Sequence, residues 1–194
     1  MLQSAHPPIP GPDRSAQRRP IVLVGLMGVG KSTVGRRLAA RLRLPFVDAD
    51  TAIEEAAGLT VAEIFERFGE PYFRDGERRV IARLMDGRPK VIATGGGAFI
   101  NDDTRALILA EATAVWLHAH PDVLAERVGR RDTRPLLRNR NPRQVLAELA
   151  TIRNPIYAEA HIHITSNKSP HETTVNAILK AIGFGRTAPD TAGA

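Results

Sequence analysis

The feature that most constrains this chain is a glycine-rich loop between a short apolar run and a helical segment. The run Ile21–Val24 leads into Gly25-Leu26-Met27-Gly28-Val29-Gly30-Lys31-Ser32-Thr33, and a helical pattern follows over Val34–Leu42. Strand, glycine loop ending in Lys-Ser, and helix is the order that a phosphate-binding loop requires. A glycine-rich turn with an incidental Lys-Ser would leave this combination unexplained. The sequence therefore predicts that the chain binds a nucleoside triphosphate.

Each part of the loop has a chemical task in that prediction. The glycines allow several backbone N–H groups to point inward, and the helix that follows adds the positive end of its dipole. Lys31 can bridge the β- and γ-phosphates as a mobile charge, and the Ser32 hydroxyl can ligate Mg²⁺. We therefore expect ATP and Mg²⁺ as cofactors.

Composition limits the domain organisation. The chain has 194 residues, 43% of them hydrophobic, and no cysteine. This length suits one packed domain, predicted over residues 21–183, and the missing cysteines exclude disulfides and thiolate metal sites. Residues 1–20 are rich in proline and lack an apolar signal core, so they and residues 184–194 are predicted to be disordered tails. No apolar stretch is long enough to cross a bilayer, so we expect a cytoplasmic monomer without a membrane partner.

The net charge of +6 is compatible with nucleic-acid binding, but its distribution argues against it. Aromatic residues make up only 5% of the chain and do not alternate with basic ones. The arginines instead cluster in one polar segment in which Asp132 is the only acid: Arg127, Arg130, Arg131, Arg134, Arg138, Arg140 and Arg143. This segment lacks apolar periodicity, so we expect residues 129–141 to form a mobile loop that faces a triphosphate, with no nucleic-acid partner.

Two aspartates follow the second predicted strand. The run Leu44–Asp48 is short and apolar, and a period of two would place Asp48 and Asp50 on the same side at its carboxyl end. Ligands of open parallel sheets bind at that end, so one carboxylate could serve Mg²⁺ and the other an acceptor hydroxyl. The third strand, Val91–Thr94, does not end in Asp, which leaves Asp48 as the metal carboxylate. Alternatively, Asp50 or Thr51 only caps the next helix.

Two further patterns are open to more than one interpretation. Arg74 and Glu77 lie three residues apart on a predicted helix, so they can form an ion pair, and such pairs are usually exposed and solvated. Gly95, Gly96 and Gly97 follow the third strand, which indicates either close approach of the backbone to another group or a flexible turn. The histidines at 118, 120, 161 and 163 lie at strand ends without a carboxylate at ligand spacing, so no metal is assigned to them.

The alternation of strands and helices predicts the fold class. Five short apolar runs alternate with helical segments, which is typical of an α/β protein whose parallel sheet is covered on both faces. Gly69 is predicted to separate two helices, and a break is expected near Pro155.

Six blocks of residues in this order resemble the shikimate kinase family. Together they are far more specific than the glycine loop alone, and the similarity extends from about Ile21 to Ile182. The blocks are Gly25–Gly35, Phe46–Asp50, Gly69–Glu77, Thr94–Gly97, Arg134–Leu137 and Arg153–Tyr157.

The resemblance implies both a fold and an activity. The fold would be the three-layer P-loop architecture of nucleoside-monophosphate kinases, with strand order 2-3-1-4-5. The activity would be ATP-dependent phosphorylation of the 3-hydroxyl of shikimate, a step of aromatic amino-acid biosynthesis.

The resemblance also implies roles for individual residues. The phosphates would be held by Gly28, Val29, Gly30, Lys31, Ser32 and Thr33. Ser32 would ligate Mg²⁺ directly and Asp48 through water. Asp50 would bind the shikimate hydroxyls and is a candidate to accept the reacting proton, so that Lys31, Asp50 and Arg134 form the catalytic set. Arg74 and Arg153 would bind the carboxylate, with Gly95, Gly96 and Gly97 around the ring. Arg134 would close onto the transferring phosphate, and Arg127 would stack on adenine.

One departure concerns the loop before the last helix. The family often carries an Asp after the fifth strand, whereas Ile164–Pro170 lacks it, and Lys168 is the candidate adenine contact. Three other functions remain compatible with parts of the sequence: another small-molecule P-loop kinase, such as a gluconate or nucleoside-monophosphate kinase, a non-catalytic nucleotide-binding module, and a basic nucleic-acid binder.

Overall fold

Five short strands form a single parallel sheet. The computed structural model describes residues 19–128, 141–166 and 170–184. The sheet order is β2-β3-β1-β4-β5, and every pairing is parallel, which confirms the predicted order. The strands are β1 Ile21–Val24, β2 Phe46–Asp48, β3 Val91–Ala93, β4 Thr113–His118 and β5 Ile162–Thr165.

In the described residues, seven helices lie around this sheet, together with a short 3₁₀ turn at Ala98–Ile100. They are α1 Lys31–Leu42, α2 Ala49–Ala57, α3 Val61–Leu84, α4 Asp102–Glu111, α5 Pro121–Val128, α6 Pro142–Tyr157 and α7 His171–Ala181. Helix α1 packs against α7, and α5 packs against α6. None of the helices in the described ranges is long and apolar enough to cross a bilayer.

The central strand determines where the functional residues meet. All four residues of β1 are fully buried, and Ile21 is in register with Val91 of β3 and with Thr113 of β4. A strand buried on both faces is expected to be a continuous apolar run, as this one is. Because β1, β2 and β3 are parallel neighbours, the loops at their carboxyl ends meet at one edge of the sheet.

Two predicted helix breaks have different outcomes. Gly69 has φ 79° and ψ 175°, so it interrupts the helical geometry inside α3, and the predicted separation there is confirmed. The predicted break near Pro155 is wrong, because α6 continues from Pro142 to Tyr157. Proline lacks the N–H that would bond to the carbonyl of Thr151, four residues earlier. Pro155 and Thr151 both lie on the exposed face of α6, where water can satisfy that carbonyl.

The boundaries of the predicted domain shift slightly. Pro20 is buried and its carbonyl accepts a hydrogen bond from Thr113 N at 2.8 Å, so it belongs to the folded part rather than to a tail. Asn141, the last residue of the predicted loop, has extended backbone and is the N-cap of α6, which begins at Pro142. The remainder of that predicted loop, residues 129–140, lies outside the described residues, as do residues 1–18 and 185–194.

Candidate active site

The glycine loop connects β1 to α1 with the geometry that a phosphate site needs. Gly28 has φ 80°, and Gly30, the N-cap of α1, has φ 97° and ψ 20°. Both values lie in the left-handed region, which side chains with a Cβ rarely adopt. The backbone can therefore curl over the N-terminus of α1 only because glycine occupies these positions.

The N-terminus of α1 is prepared for an anion. No side chain caps it, and its first turn contains no acidic residue, so its N–H groups and its positive dipole end are available to phosphate oxygens. Lys31 is buried, and its Nζ donates to the carbonyls of Gly25 at 2.6 Å and Leu26 at 3.0 Å. Two carbonyls of the loop thus hold the ammonium group of Lys31 at the site predicted to bind a triphosphate.

Ser32 and Asp48 form a pair of oxygen ligands beside this loop. The Ser32 hydroxyl donates to Asp48 Oδ2 at 2.6 Å. Mg²⁺ prefers oxygen ligands and is commonly held by one or two protein groups together with phosphates and waters. The described residues contain no group of three or more histidines, cysteines or acids that could hold a metal. A hydroxyl and one carboxylate next to a phosphate loop therefore fit Mg²⁺ shared with a nucleotide.

Asp50 does not lie on the strand. The predicted period-two relation to Asp48 is wrong, because β2 ends at Asp48 and Asp50 lies in the first turn of α2. The alternative that Asp50 or Thr51 caps this helix is also wrong, since the cap is Asp48, whose Oδ1 accepts from Asp50 N at 3.2 Å. The side chain of Asp50 does not cap α2 and instead approaches the residues that follow β3.

The three glycines after β3 allow close approach of functional side chains. A Cβ on Gly95 would lie 2.8 Å from Asp50 Oδ1 and 2.9 Å from Glu77 Oε1, and a Cβ on Gly97 would overlap the Arg74 guanidinium. A Cβ on Gly96 would lie 3.4 Å from Met27 N, in the phosphate loop. Of the two interpretations of this triplet, close approach is confirmed.

Arg74 and Glu77 do not form the usual solvated pair. The Arg74 Nη1 donates to Glu77 Oε2 at 2.7 Å, and the Glu77 side chain is only 3% exposed. Arg74 also donates through Nε and Nη2 to the exposed Glu70 Oε1, at 3.1 and 2.9 Å. Burial raises the pKa of Glu77, and the neighbouring Asp50 adds to this effect, while Arg74 opposes it. Glu77 thus holds the guanidinium of Arg74 in place from the buried side.

Arg153 approaches the same glycines from a different helix. It lies on α6 and its Nη1 donates to the carbonyl of Gly96 at 3.0 Å. Asp50, Arg74 and Arg153, which come from α2, α3 and α6, therefore surround Gly95–Gly97. We call these three side chains and the three glycines the acceptor cluster, and Gly96 places it against the phosphate loop.

Three further predicted residues lie towards the nucleotide side or outside the described residues. Arg127, in the last turn of α5, donates to Val29 O at 3.4 Å and to Ser166 Oγ at 3.3 Å, which places it against the phosphate loop. Arg134 and Lys168 lie outside the described residues, so their roles stay predictions.

Two residues at the site were not singled out as functional from the sequence. Ser166 is buried and its hydroxyl donates to Val29 O at 3.2 Å, a contact across 137 positions that no local pattern indicates. Tyr157 is fully buried and its hydroxyl donates to the carbonyl of Gly96. Its spacing of four residues from Arg153 was a usable signal, because such residues share a helix face.

The fold and the site together define a class of protein. A five-stranded parallel sheet of this order, a phosphate-binding loop after its central strand and an adjoining cluster of two guanidinium groups and a carboxylate are the features of a P-loop kinase for a small acceptor.

Comparison with known proteins gives the family. The family model described as shikimate kinase matches residues 27–183. A shikimate kinase of Novosphingobium aromaticivorans is 59% identical over 88% of this chain and 91% of its own length, and one of Caulobacter vibrioides is 60% identical over 84% and 81%. The solved shikimate kinase of Acinetobacter baumannii in complex with shikimate has a TM-score of 0.83 at 38% identity, covering 89% of this chain and 97% of its own. The chain belongs to the shikimate kinase family.

Proposed function

We propose that this protein transfers the γ-phosphoryl group of ATP to the 3-hydroxyl of shikimate, giving shikimate 3-phosphate and ADP in aromatic amino-acid biosynthesis. The observation that carries the proposal is the convergence of Arg74, Arg153 and Asp50 on Gly95–Gly97, directly beside the loop of Lys31. Membership of the family and the similarity to a relative solved with shikimate support the choice of acceptor.

The acceptor cluster suits a small hydroxylated acid. Arg74 and Arg153 carry planar forks of N–H donors, which match a carboxylate better than a lysine ammonium does. The fork of Arg74 exchanges the exposed Glu70 for the carboxylate of the acceptor. Asp50 presents carboxylate oxygens that can accept from the hydroxyls at the other end of such a molecule. The absence of side chains at Gly95–Gly97 leaves room for the ring. The cluster therefore fixes both ends of the acceptor. Such positioning, together with charge stabilisation, is the main contribution of a protein to phosphoryl transfer.

The nucleotide is held by the phosphate loop. The backbone of Gly28–Thr33 and the N-terminus of α1 bind the phosphate oxygens, and Lys31 exchanges its carbonyl partners for the β- and γ-phosphates. Ser32 and Asp48, which are hydrogen-bonded to each other beside the loop, would hold Mg²⁺, Asp48 through water. When bound, Mg²⁺ neutralises charge on the β- and γ-phosphates. Arg127 stacks on the adenine, for which Lys168 is a further candidate contact, and Arg134 stabilises the charge of the transferring phosphoryl group.

Asp50 is the residue that orients the reacting hydroxyl. Its Oδ1 lies against Gly95, 2.8 Å from the place that a Cβ on this residue would take. A carboxylate in this place holds the hydroxyl in line with the phosphoryl group and is the candidate acceptor of its proton.

A parallel assay tests the proposed function. ADP release is measured with shikimate, gluconate and AMP as acceptors at equal concentrations, with ATP and Mg²⁺ in excess. We expect turnover with shikimate alone. Turnover with gluconate or AMP would assign a different P-loop kinase. ATP binding without any acceptor-dependent turnover would leave a non-catalytic nucleotide-binding module.

We further propose that the protein acts as a cytoplasmic monomer without a nucleic-acid partner. One chain supplies every residue of the acceptor cluster and of the phosphate loop that the structure describes. Size-exclusion chromatography with light scattering should give a mass near the 21.1 kDa of one chain. A DNA-binding titration at low salt should show no specific complex.

Replacing Glu77 by glutamine is expected to raise KM for shikimate about tenfold or more, with little change in KM for ATP. The guanidinium of Arg74, which is 27% exposed, loses the buried one of its two charged partners, and breaking one side of a buried ion pair typically costs several kcal/mol. In the variant, kcat/KM for shikimate should also fall less steeply as the pH is lowered. In the wild type, falling pH protonates Glu77 early because burial raises its pKa, whereas glutamine stays neutral throughout.

Glu70→Gln is the matched control for this prediction. Glu70 contacts the same arginine, but its side chain is 53% exposed, and exposed ion pairs contribute about 0–1 kcal/mol. We expect less than a threefold change in KM for shikimate. Equal effects of the two substitutions would show that burial of Glu77 does not determine the orientation of Arg74.

A further inference from the structure

The carbonyl oxygen of Gly96 accepts hydrogen bonds from two side chains at once. One donor is Arg153 Nη1, at 3.0 Å, and the other is the hydroxyl of Tyr157. Arg153 and Tyr157 are four residues apart on α6, so they lie on the same face of the helix. The first is assigned to the acceptor under the proposed function, and the second has no role there.

The ring of Tyr157 is held rigidly. It is fully buried, with its centroid 6.4 Å from that of Phe99 in a stacked arrangement and 6.1 Å from that of Trp116. Burial also raises the pKa of its hydroxyl to about 12, so the phenol remains a hydrogen-bond donor at any pH at which the protein works. A rigid donor of this kind defines the position of the oxygen that accepts from it.

Gly96 is confined from the opposite side as well. A Cβ on this residue would already touch Met27 N at 3.4 Å and Gly25 O at 3.6 Å in the phosphate loop. Gly96 therefore lies against the phosphate loop, while its carbonyl accepts from Tyr157 and offers Arg153 a fixed point of attachment. With Nη1 held there, Nε and Nη2 of the guanidinium form the edge that can meet a carboxylate in bidentate fashion.

We propose that Tyr157 is a positioning residue for the acceptor. By donating to the Gly96 carbonyl, it fixes the atom to which Arg153 Nη1 is bonded, and it thereby aims the remaining N–H groups of Arg153 at the acceptor's carboxylate. This inference rests on the proposed function, because it assigns that carboxylate to Arg153. Tyr157 touches neither reacting group, so its effect passes entirely through Gly96 and Arg153.

Tyr157→Phe tests the proposal with little disturbance of the fold. Phenylalanine keeps the ring packing, and Gly96 O still accepts from Arg153, so loss of the hydroxyl should lower the free energy of unfolding only modestly. We expect KM for shikimate, and its Kd by calorimetry, to rise five- to tenfold, while kcat and KM for ATP stay within twofold. Tyr72→Phe is the control, because Tyr72 is the other tyrosine of the chain, lies on α3 and is 50% exposed. It should change none of these values.

A double-mutant cycle with Arg153→Lys separates positioning from a general structural role. Lysine lacks the planar fork, so the orientation that Tyr157 imposes is lost in this background, and Tyr157→Phe should raise the Kd of shikimate no further. The same fold-increase in both backgrounds, or a Tyr157→Phe enzyme with unchanged KM, would overturn the inference. Parallel losses in kcat and in both KM values would also overturn it, since they indicate a structural role.

The proposed function fails separately from this inference. If the wild-type protein does not phosphorylate shikimate, the proposed function is wrong, whatever the variants do. If the wild type is active and Tyr157→Phe behaves like Tyr72→Phe, only the role of Tyr157 is wrong.

Discussion

Arg134→Ala is expected to lower kcat for shikimate phosphorylation about a thousandfold or more while changing the Kd of ATP much less. An arginine that meets the transferring phosphoryl group stabilises charge present mainly in the transition state, and such residues typically contribute about 10³–10⁵ in rate. The position follows from the resemblance of Arg134–Leu137 to the family pattern. Single-turnover kinetics together with calorimetric ATP binding would measure the two effects separately.

Arg143→Ala is the control for this prediction. Arg143 belongs to the same arginine-rich stretch of sequence, but it lies on α6 and forms an exposed ion pair with Asp122. Its removal should leave kcat within about threefold. An Arg134→Ala enzyme with unchanged kcat would remove this residue from the mechanism, and a matching loss in Arg143→Ala would point to a general electrostatic effect of the segment.

Asp50→Asn is expected to lower kcat by about 10²–10⁴-fold, which is the range that a positioned general base contributes. Asparagine keeps the size of the side chain and can still hydrogen-bond a hydroxyl, but it cannot accept the proton or balance the charge of the two arginines. The cap of α2 is Asp48 and not Asp50, so the helix should remain intact. ATP binding should therefore be retained, as measured by calorimetry with ATP and Mg²⁺.

Glu55→Gln controls for loss of a negative charge on the same helix. Glu55 lies on α2 but is exposed and has no part in the acceptor cluster. We expect normal turnover. Loss of ATP binding in Asp50→Asn would mean that Asp50 belongs to the nucleotide site, and full activity would assign the proton to another acceptor or to none.

The acceptor cluster and the phosphate loop are joined by direct contact. Gly96 packs against Met27 N, and the carbonyl of Gly96 is bonded by Arg153 and Tyr157. A Cβ at Gly96 would be in van der Waals contact with Met27 N at 3.4 Å, so little space separates these two parts of the site. The distance between acceptor and phosphate donor is thus set by backbone packing, on which phosphoryl transfer depends strongly.

Local patterns were sufficient for much of this protein. The conformation of the loop from Gly25 to Thr33 was predictable from its glycines, because glycine readily adopts the left-handed geometry observed at Gly28 and Gly30. The break at Gly69 was likewise predicted from the local sequence and is confirmed. The resemblance of six blocks added the order of the strands, which short-range patterns do not determine, and the structure confirms it.

Errors arose where two local preferences competed. Asp48 and Asp50 were expected to share one side of a strand, but Asp48 caps α2 instead, so the chain becomes helical before Asp50. The proline at 155 was expected to interrupt a helix, yet it lies on an exposed face where the lost hydrogen bond is tolerated. In both places the residues alone allow two conformations; a local cap by Asp48 selects the helix in the first, and solvent exposure permits it in the second.

The sequence by itself determined that a phosphate-binding loop follows the first strand and that its chemistry requires Lys31 and Ser32. All residues of this motif are consecutive in the chain, so the conformation of the loop depends on local sequence. Only the tertiary structure decided that Glu77 is buried beneath Arg74 and that Arg153 and Tyr157 share the carbonyl of Gly96. These contacts join α3 and α6 to the end of β3. Spacing along the chain indicates only which of these residues share a helix face, whereas their burial and their contact with Gly96 follow from how distant segments pack.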